Sequence, residues 1–290
     1  MSVTTTTAED VSLQVQQPAP GDSRKPSSEI ERARRTQAAT QRVLLVVPPI
    51  ALAVFILLGW YVSTASGSVP GFILPTPADV LSSLFDGLRS GLFLSNALVT
   101  VQESLLGFCL AVIVALPTGY GIAKSRLFAA SVQPYLAAGQ AIPAIVIAPL
   151  LVLWLGYGVL PIIILCMLVV LFPMVITTAL GVQTIDHTLT DAARVEGASG
   201  WQMLLHIEFP LALPGILAAV RTGLTLSITG ALVGEFVLSG NLGLGSLVLQ
   251  AKNQFNMPLM FATLIILAAL AALYYGTSWL LVKLADVIYY

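Results

Sequence analysis

Long apolar stretches separated by short polar connections run through the chain from about residue 43 onward. A membrane-crossing helix needs roughly 20 such residues at about 1.5 Å of rise each. On that measure the pattern predicts six spans, at about 43–63, 97–123, 135–155, 160–180, 211–238 and 258–282. Trp60 and Tyr61 end the first at the membrane surface. Gly107, Gly119 and Gly121 allow close helix contacts along the second. Pro143 and Pro149 kink or break the third, Pro173 lies in the fourth, and Gly156-Tyr157-Gly158 makes a tight turn between them. Before the second span, Thr76-Pro77-Ala78-Asp79 reads as a helix start, with Thr76 as cap and Pro77 in the first position. Val80, Leu81, Leu84, Phe85 and Leu88 then form one apolar face, as expected of a helix lying on the membrane surface or under the bundle.

The connection at about 182–209 is polar and patterned. Val182, Ile185, Leu189 and Ala193 recur at helical spacing and are expected to face neighbouring helices. Gly197 can close that helix in a left-handed conformation. Ser199 followed by Gln202 is a capping-box pattern that starts a second helix, with Trp201, Leu204, Leu205 and Glu208 on one side. Pro210 lacks the N–H needed to extend it smoothly. The pattern predicts a short helix–turn–helix that projects from the membrane to grip a soluble partner. Periodicity alone equally supports an amphipathic connector with Trp201 as a surface anchor.

Composition narrows the class. The chain is 57% hydrophobic and 9% charged, whereas soluble domains carry about 25% charged residues. With net charge −1 and no basic patch in the folded part, nucleic acid is not an expected partner; the lipid bilayer is. Residues 1–40 are polar, which predicts a disordered tail with helical character near 28–41, too long and polar for a secretory signal. Cys109 and Cys166 both fall in apolar spans and read as small buried side chains. No phosphate-binding loop and no H-E-x-x-H occur, so neither ATP hydrolysis nor other catalysis is expected on this chain. His187 and His206 read as solvated loop residues.

With the tail placed inside, ten basic residues are cytoplasmic (Arg24, Lys25, Arg32, Arg34, Arg35, Arg42, Lys124, Arg126, Arg194, Lys283) and two, Arg89 and Lys252, are outside. Both termini and the 182–209 connection then lie on the cytoplasmic side. Three ionisable residues fall within spans: Glu103, Arg221 and Glu235. Glu103 lies near the outer end of its span and is expected to reach the interface. Glu235 precedes Ser239-Gly240-Asn241-Leu242-Gly243-Leu244-Gly245; it either shapes an outer gate or caps the backbone of that turn, the second being preferred. Thr222, Thr225, Ser227 and Thr229 give the fifth span a polar side. They either line a pathway or bond back to their own helix. Gly223, Gly230 and Gly234 would let a partner helix approach.

Asp191-Ala192-Ala193, three residues, Gly197, nine residues, Ile207, one residue and Phe209-Pro210 resemble the signature loop of permeases from binding-protein-dependent ABC importers. Asp191 stands where that loop has Glu, and Phe209 where it has Leu. Leu74–Pro77, the Pro143–Gly156 stretch and Glu235–Gly245 are weaker matches, and together they resemble the branch serving nitrate, sulfonate, taurine and some vitamin precursors. The resemblance implies an all-α membrane protein of type I importer architecture, with a permease domain at 41–290. It places Asp191, Ala192, Ala193, Arg194, Glu196, Gly197, Ser199, Trp201, Ile207 and Pro210 in contact with a cytosolic ATPase. Thr225, Ser227, Thr229 and Glu235 become candidates for the pathway or gate, and Gly223, Gly230 and Gly234 for packing of two permease copies. The implied partners are an ATP-binding subunit dimer, a second permease copy, identical or not, and an extracytoplasmic substrate-binding protein. ATP belongs to the partner, and no cofactor is expected on this chain. Two other classes fit the bare pattern: a secondary transporter or channel, and a membrane-embedded scaffold or sensor with the tail as its output arm.

Overall fold

The computed structural model describes residues 28–67, 69–238 and 242–289. It divides into two compact units, Met1–Gly59 and Trp60–Tyr290. In the first, the described residues belong to helix α1 (Ser28–Ala65), whose apolar part from Val47 to Ala65 is long enough to cross a membrane. Of the expected disordered tail, residues 1–27 lie outside the described residues, and 28–40 are the helical start of α1.

The second unit continues with α2 (Pro77–Arg89), α3 (Leu92–Lys124), α4 (Arg126–Ala141), α5 (Ala144–Leu155), α6 (Val159–Gln183), α7 (His187–Val195), α8 (Gly200–Met203), α9 (Phe209–Val237), α10 (Leu244–Asn253) and α11 (Met257–Tyr289). The described residues give five helices of spanning length, or six spans if the bent pair α4–α5 counts as one. The break in that pair falls at Pro143, which sits at the start of α5 in an extended conformation, and the two halves meet at 99°. Pro149, expected to distort the same span, is absorbed inside α5.

Helices α3, α6 and α9 form the centre. Their approach is set by small residues. A Cβ on Gly107 of α3 would fall 2.6 Å from the Cys166 side chain of α6, and one on Gly230 of α9 would fall 2.8 Å from Cys166 Cα. Between apolar helices in lipid, such backbone proximity supplies the van der Waals contact that hydrophobic burial cannot. Gly223 and Gly234 of α9 likewise meet Val170 and Ile162 of α6. The expected role of these glycines in joining two copies is corrected: their small faces are used inside one chain.

The cap of α2 forms as the sequence predicts, with Thr76 Oγ1 accepting from the Asp79 N–H at 3.2 Å and Pro77 in the first turn. Its apolar face is not single, however. Val80 is buried and Leu84 packs partly against the core, while Leu81, Phe85 and Leu88 stay exposed. Trp60 is half-buried; its indole N–H donates to Pro75 O at 2.9 Å and its ring packs near Phe261.

Candidate functional site

The polar connection folds as the short helix α7, a turn, and α8, which begins the run of helix leading into α9. Asp186 caps α7, its Oδ1 accepting from the Thr188 N–H at 2.9 Å. Hydrogen bonding with the Thr188 backbone and hydroxyl holds the Asp186 carboxyl below the usual carboxylate range. At the other end of α7 the chain makes a full Schellman turn. The Ala198 N–H reaches Ala193 O at 2.9 Å and the Gly197 N–H reaches Arg194 O at 3.0 Å, with Gly197 at φ +94°. No atom lies within 4 Å of where a Gly197 Cβ would sit, so glycine is required by backbone conformation and not by space.

Val182, Ile185 and Ala193 are buried as the spacing predicts. Leu189 is instead half exposed, because its part of α7 leaves the bundle. Asp191, Ala192, Arg194, Glu196, Gly197, Ser199 and Trp201 are exposed, and Ile207 and Pro210 are half-buried. Asp191 and Arg194 pair at 3.0 Å on the open surface, a contact worth about 0–1 kcal/mol. Val195 is 90% and Trp201 75% exposed. The element therefore presents large apolar side chains within a polar surround, the composition of an uncovered contact surface.

Two expectations for the second short helix are corrected. Ser199 occupies the cap position in an extended conformation, but its side chain makes no capping bond; the Gln202 N–H bonds to Ser199 O at 3.2 Å instead. Pro210 does not interrupt the helix. A π-turn at Leu204–Glu208, closed by the Phe209 N–H on Leu204 O, carries the backbone through, so helix runs without a break from Gly200 to Val237. The wider turn, one residue before Pro210, relieves the crowding a proline ring makes with the preceding turn.

That π-turn places Glu208 inward. Its carboxylate is 4% exposed and accepts from Lys124 Nζ and Tyr120 Oη, each at 2.6 Å, tying the short helix to the end of α3. Glu208 and Lys124 stand 84 residues apart; nothing in the local pattern pairs them. A cavity of about 560 Å³ opens beside this pair, with Arg194, Ser199 and Met203 on its wall.

The polar side of α9 resolves into two kinds of residue. Ser227 is buried and donates to Leu224 O, while Thr222 and Thr225 are exposed and donate to Ala218 O and Arg221 O. Thr229 is exposed on the same side. The hydroxyls of Thr222, Thr225 and Ser227 thus bond back to their own helix. Glu235 is fully buried, accepting from Thr100 Oγ1 at 2.6 Å and from the Gly245 N–H at the start of α10. Its preferred reading as a cap is the observed arrangement. A Cβ on Gly243 or Gly245 would strike the Glu235 carboxyl, which accounts for the glycines of that turn. Ser239, Gly240 and Asn241 lie outside the described residues. Glu103, expected at the interface, is instead fully buried.

A bundle of apolar helices carrying one exposed, capped helix–turn–helix defines an all-α, multi-pass membrane protein. The chain belongs to the family of binding-protein-dependent transport system inner membrane components, which matches residues 107–285. It is 40% identical over 236 residues to the riboflavin transport system permease protein RibX of Chloroflexus aurantiacus, covering 81% of this chain and 87% of that one. It is 33% identical over 237 residues to a probable ABC transporter permease of Haemophilus influenzae, covering 81% and 96%. The fold is similar to that of the MetNI methionine ABC transporter in its inward-facing conformation, with TM-score 0.58 at 21% identity, over 64% of this chain and 93% of that one.

Proposed function

We propose that this chain is the transmembrane subunit of an ATP-driven importer and that the α7–α8 element is its coupling surface. The observation that carries the reading is the Schellman turn at Gly197, which sets α7 against the start of the long helix from Gly200, with Leu189, Val195 and Trp201 uncovered. A cytosolic ATPase would seat this element in its cleft, with Asp191, Arg194, Glu196 and Ser199 forming the polar rim and Ala192 keeping that face low. Ala193 and Gly197 keep the turn thin, and Ile207 and Pro210 brace it from behind. An ATPase dimer offers two clefts, so two permease copies complete the assembly, and an external binding protein delivers the solute. Both termini are cytoplasmic on this reading.

Movement of the ATPase would pass through the Glu208–Lys124 tie to α3 and through continuous helix to α9, opening the route alternately to each side. Thr225, Thr229 and the buried Glu235 end of α9 lie along that moving helix. The solute we favour is a vitamin or vitamin precursor, the class named for the 40% identical relative. Arg221, the basic residue deep in α9, has its guanidinium over the Tyr275 ring at 4.8 Å, so this cation is already engaged within the chain and gives no particular support to an anionic solute such as nitrate.

The test is a pull-down of the tagged chain from detergent-solubilised native membranes. An ATP-binding subunit should co-purify with wild type and be lost from Gly197→Asp and Ala193→Asp at equal membrane levels. Retention of the ATPase by both variants would overturn the coupling assignment. Uptake of labelled riboflavin against labelled taurine, in vesicles holding the full assembly, then separates the two solute classes.

A further inference from the structure

The base of the helix–turn–helix encloses a space that the coupling route does not use. A cavity of about 520 Å³ lies there, walled by Leu116 of α3, Val182 of α6 and Ile216 of α9, with Trp201 and Leu204 completing the wall. Its polar lining is limited to Tyr120, Thr178 and Glu208. The size is that of a small-molecule site, which spans about 300–1,000 Å³. The membrane-crossing helices concerned run Leu92–Lys124, Val159–Gln183 and Gly200–Val237. Each contributes its part nearest the helix–turn–helix, so the cavity sits at the shared end of three spans, where acyl chains give way to headgroups.

The 560 Å³ cavity beside the Glu208–Lys124 pair has Tyr120 and Glu208 in common with this one, so the two adjoin. Its character is the opposite. Lys124, Arg194 and the Ser199 hydroxyl stand on its wall. Two cations against the single carboxylate of Glu208 leave one net positive charge among the lining side chains. Neither cation is fully committed. Lys124 is 34% exposed and gives Glu208 one of its three donors, at 2.6 Å. Arg194 is 63% exposed and holds only Asp191, in an open-surface pair of little worth.

An apolar chamber joined to a basic one fits an occupant with an apolar tail and an anionic head. A soluble anion would leave the apolar chamber empty, and a plain hydrocarbon would leave the cations unanswered. A soluble protein reaches the Arg194 side, but the apolar walls belong to the spanning helices. Lipid is the phase those helices already touch, and basic pockets between spans are suited to acidic headgroups. We propose that the paired cavities bind one anionic phospholipid, with an acyl chain in the apolar chamber and the phosphate between Lys124 and Arg194. The bound lipid touches Trp201, Leu204 and the Glu208 mooring together, and so braces the base of the helix–turn–helix.

The experiment titrates the full-length chain, purified in detergent, with dioleoyl phosphatidylglycerol and separately with dioleoyl phosphatidylcholine, and reads occupancy by native mass spectrometry. Wild type should take up one phosphatidylglycerol per chain in preference to phosphatidylcholine. Arg194→Gln should reduce that preference about fivefold, the worth of one cation near a lipid headgroup. Leu116→Trp and Ile216→Trp, which fill the apolar chamber, should weaken both lipids alike. Free glycerol phosphate should displace neither. In native membranes, benzoylphenylalanine in place of Phe209, another wall residue, should crosslink to lipid.

Four results would overturn the proposal. Equal binding of the two lipids by wild type would mean ordinary boundary lipid. Unchanged binding by both tryptophan variants would put the lipid elsewhere. Displacement by glycerol phosphate would leave a phosphate site only. A crosslink from position 209 to a protein would give the cavity to that partner. The wild-type lipid preference decides the matter even if no variant folds. Only chain and lipid are present in the titration, so its failure leaves the coupling assignment to its own test.

Discussion

At the scale of single residues, two positions set the geometry of the exposed helix–turn–helix. Gly197 adopts φ +94° with open space around it. Gly197→Ala should therefore cost about 1–2 kcal/mol through backbone strain alone, and Gly197→Asn less, because asparagine tolerates the left-handed region. Hydrogen exchange of the Ala193–Ala198 turn in the two variants checks that order. Glu208 is the second position. Glu208→Ala removes the acceptor from Lys124 and Tyr120 and should destabilise the chain by about 2 kcal/mol. A double-mutant cycle with Lys124→Ala should recover a coupling energy of about 1 kcal/mol, kept small by the partial exposure of the lysine. A coupling energy of zero would mean that the 2.6 Å contact holds nothing in place.

At the scale of elements, exposure separates the energetics of folding from those of assembly. Trp201 is largely exposed, so Trp201→Ala should leave unfolding of the isolated chain unchanged to within about 0.5 kcal/mol. If the proposed partner buries the indole, the same change should weaken association by about 1.5–3 kcal/mol, or roughly 10–150-fold. Titration of the purified ATPase onto the chain measures this. At the other end, Gly245→Ala should displace the Glu235 carboxyl and lower thermal stability, since a Cβ there would fall 2.7 Å from Glu235 Oε2.

The spans and the helix–turn–helix were legible in the sequence because each carries a local signal: sustained apolar length, Thr76-Pro77, Gly197, Pro143. What was hidden depends on partners far apart in the chain. Pro210 reads as a stop until the π-turn before it is seen. Glu208 reads as one polar position on the Trp201 side of a short helix until Lys124 and Tyr120 arrive from α3. The close passage of Gly181 and Gly215, with a Cβ on Gly181 only 2.7 Å from Gly215 Cα, has no signature in either segment alone. Gly223, Gly230 and Gly234 signalled a close helix contact correctly, but periodicity cannot say whether the partner is α6 of the same chain or a second copy.

At the scale of the whole molecule, the orientation proposed from basic residues has a direct check. Single cysteines at Ser199 and at Gly67, in a background lacking Cys109 and Cys166, should be labelled from opposite sides of sealed vesicles. Labelling from the same side would reverse or break the proposed topology.

The π-turn before Pro210 has a mechanical consequence. Because it preserves the helix instead of ending it, one rod of 38 residues runs from Gly200 to Val237, about 57 Å at 1.5 Å per residue. Trp201 sits near one tip and Glu235 near the other. A twist applied at the first tip has no loop in which to dissipate before it reaches the second. Its softest section is the wide turn at Leu204–Glu208, where Glu208 is moored to α3. If the tip at Trp201 is where the proposed partner pushes, a small torque there would be carried along continuous helix to the buried Glu235 at the far end.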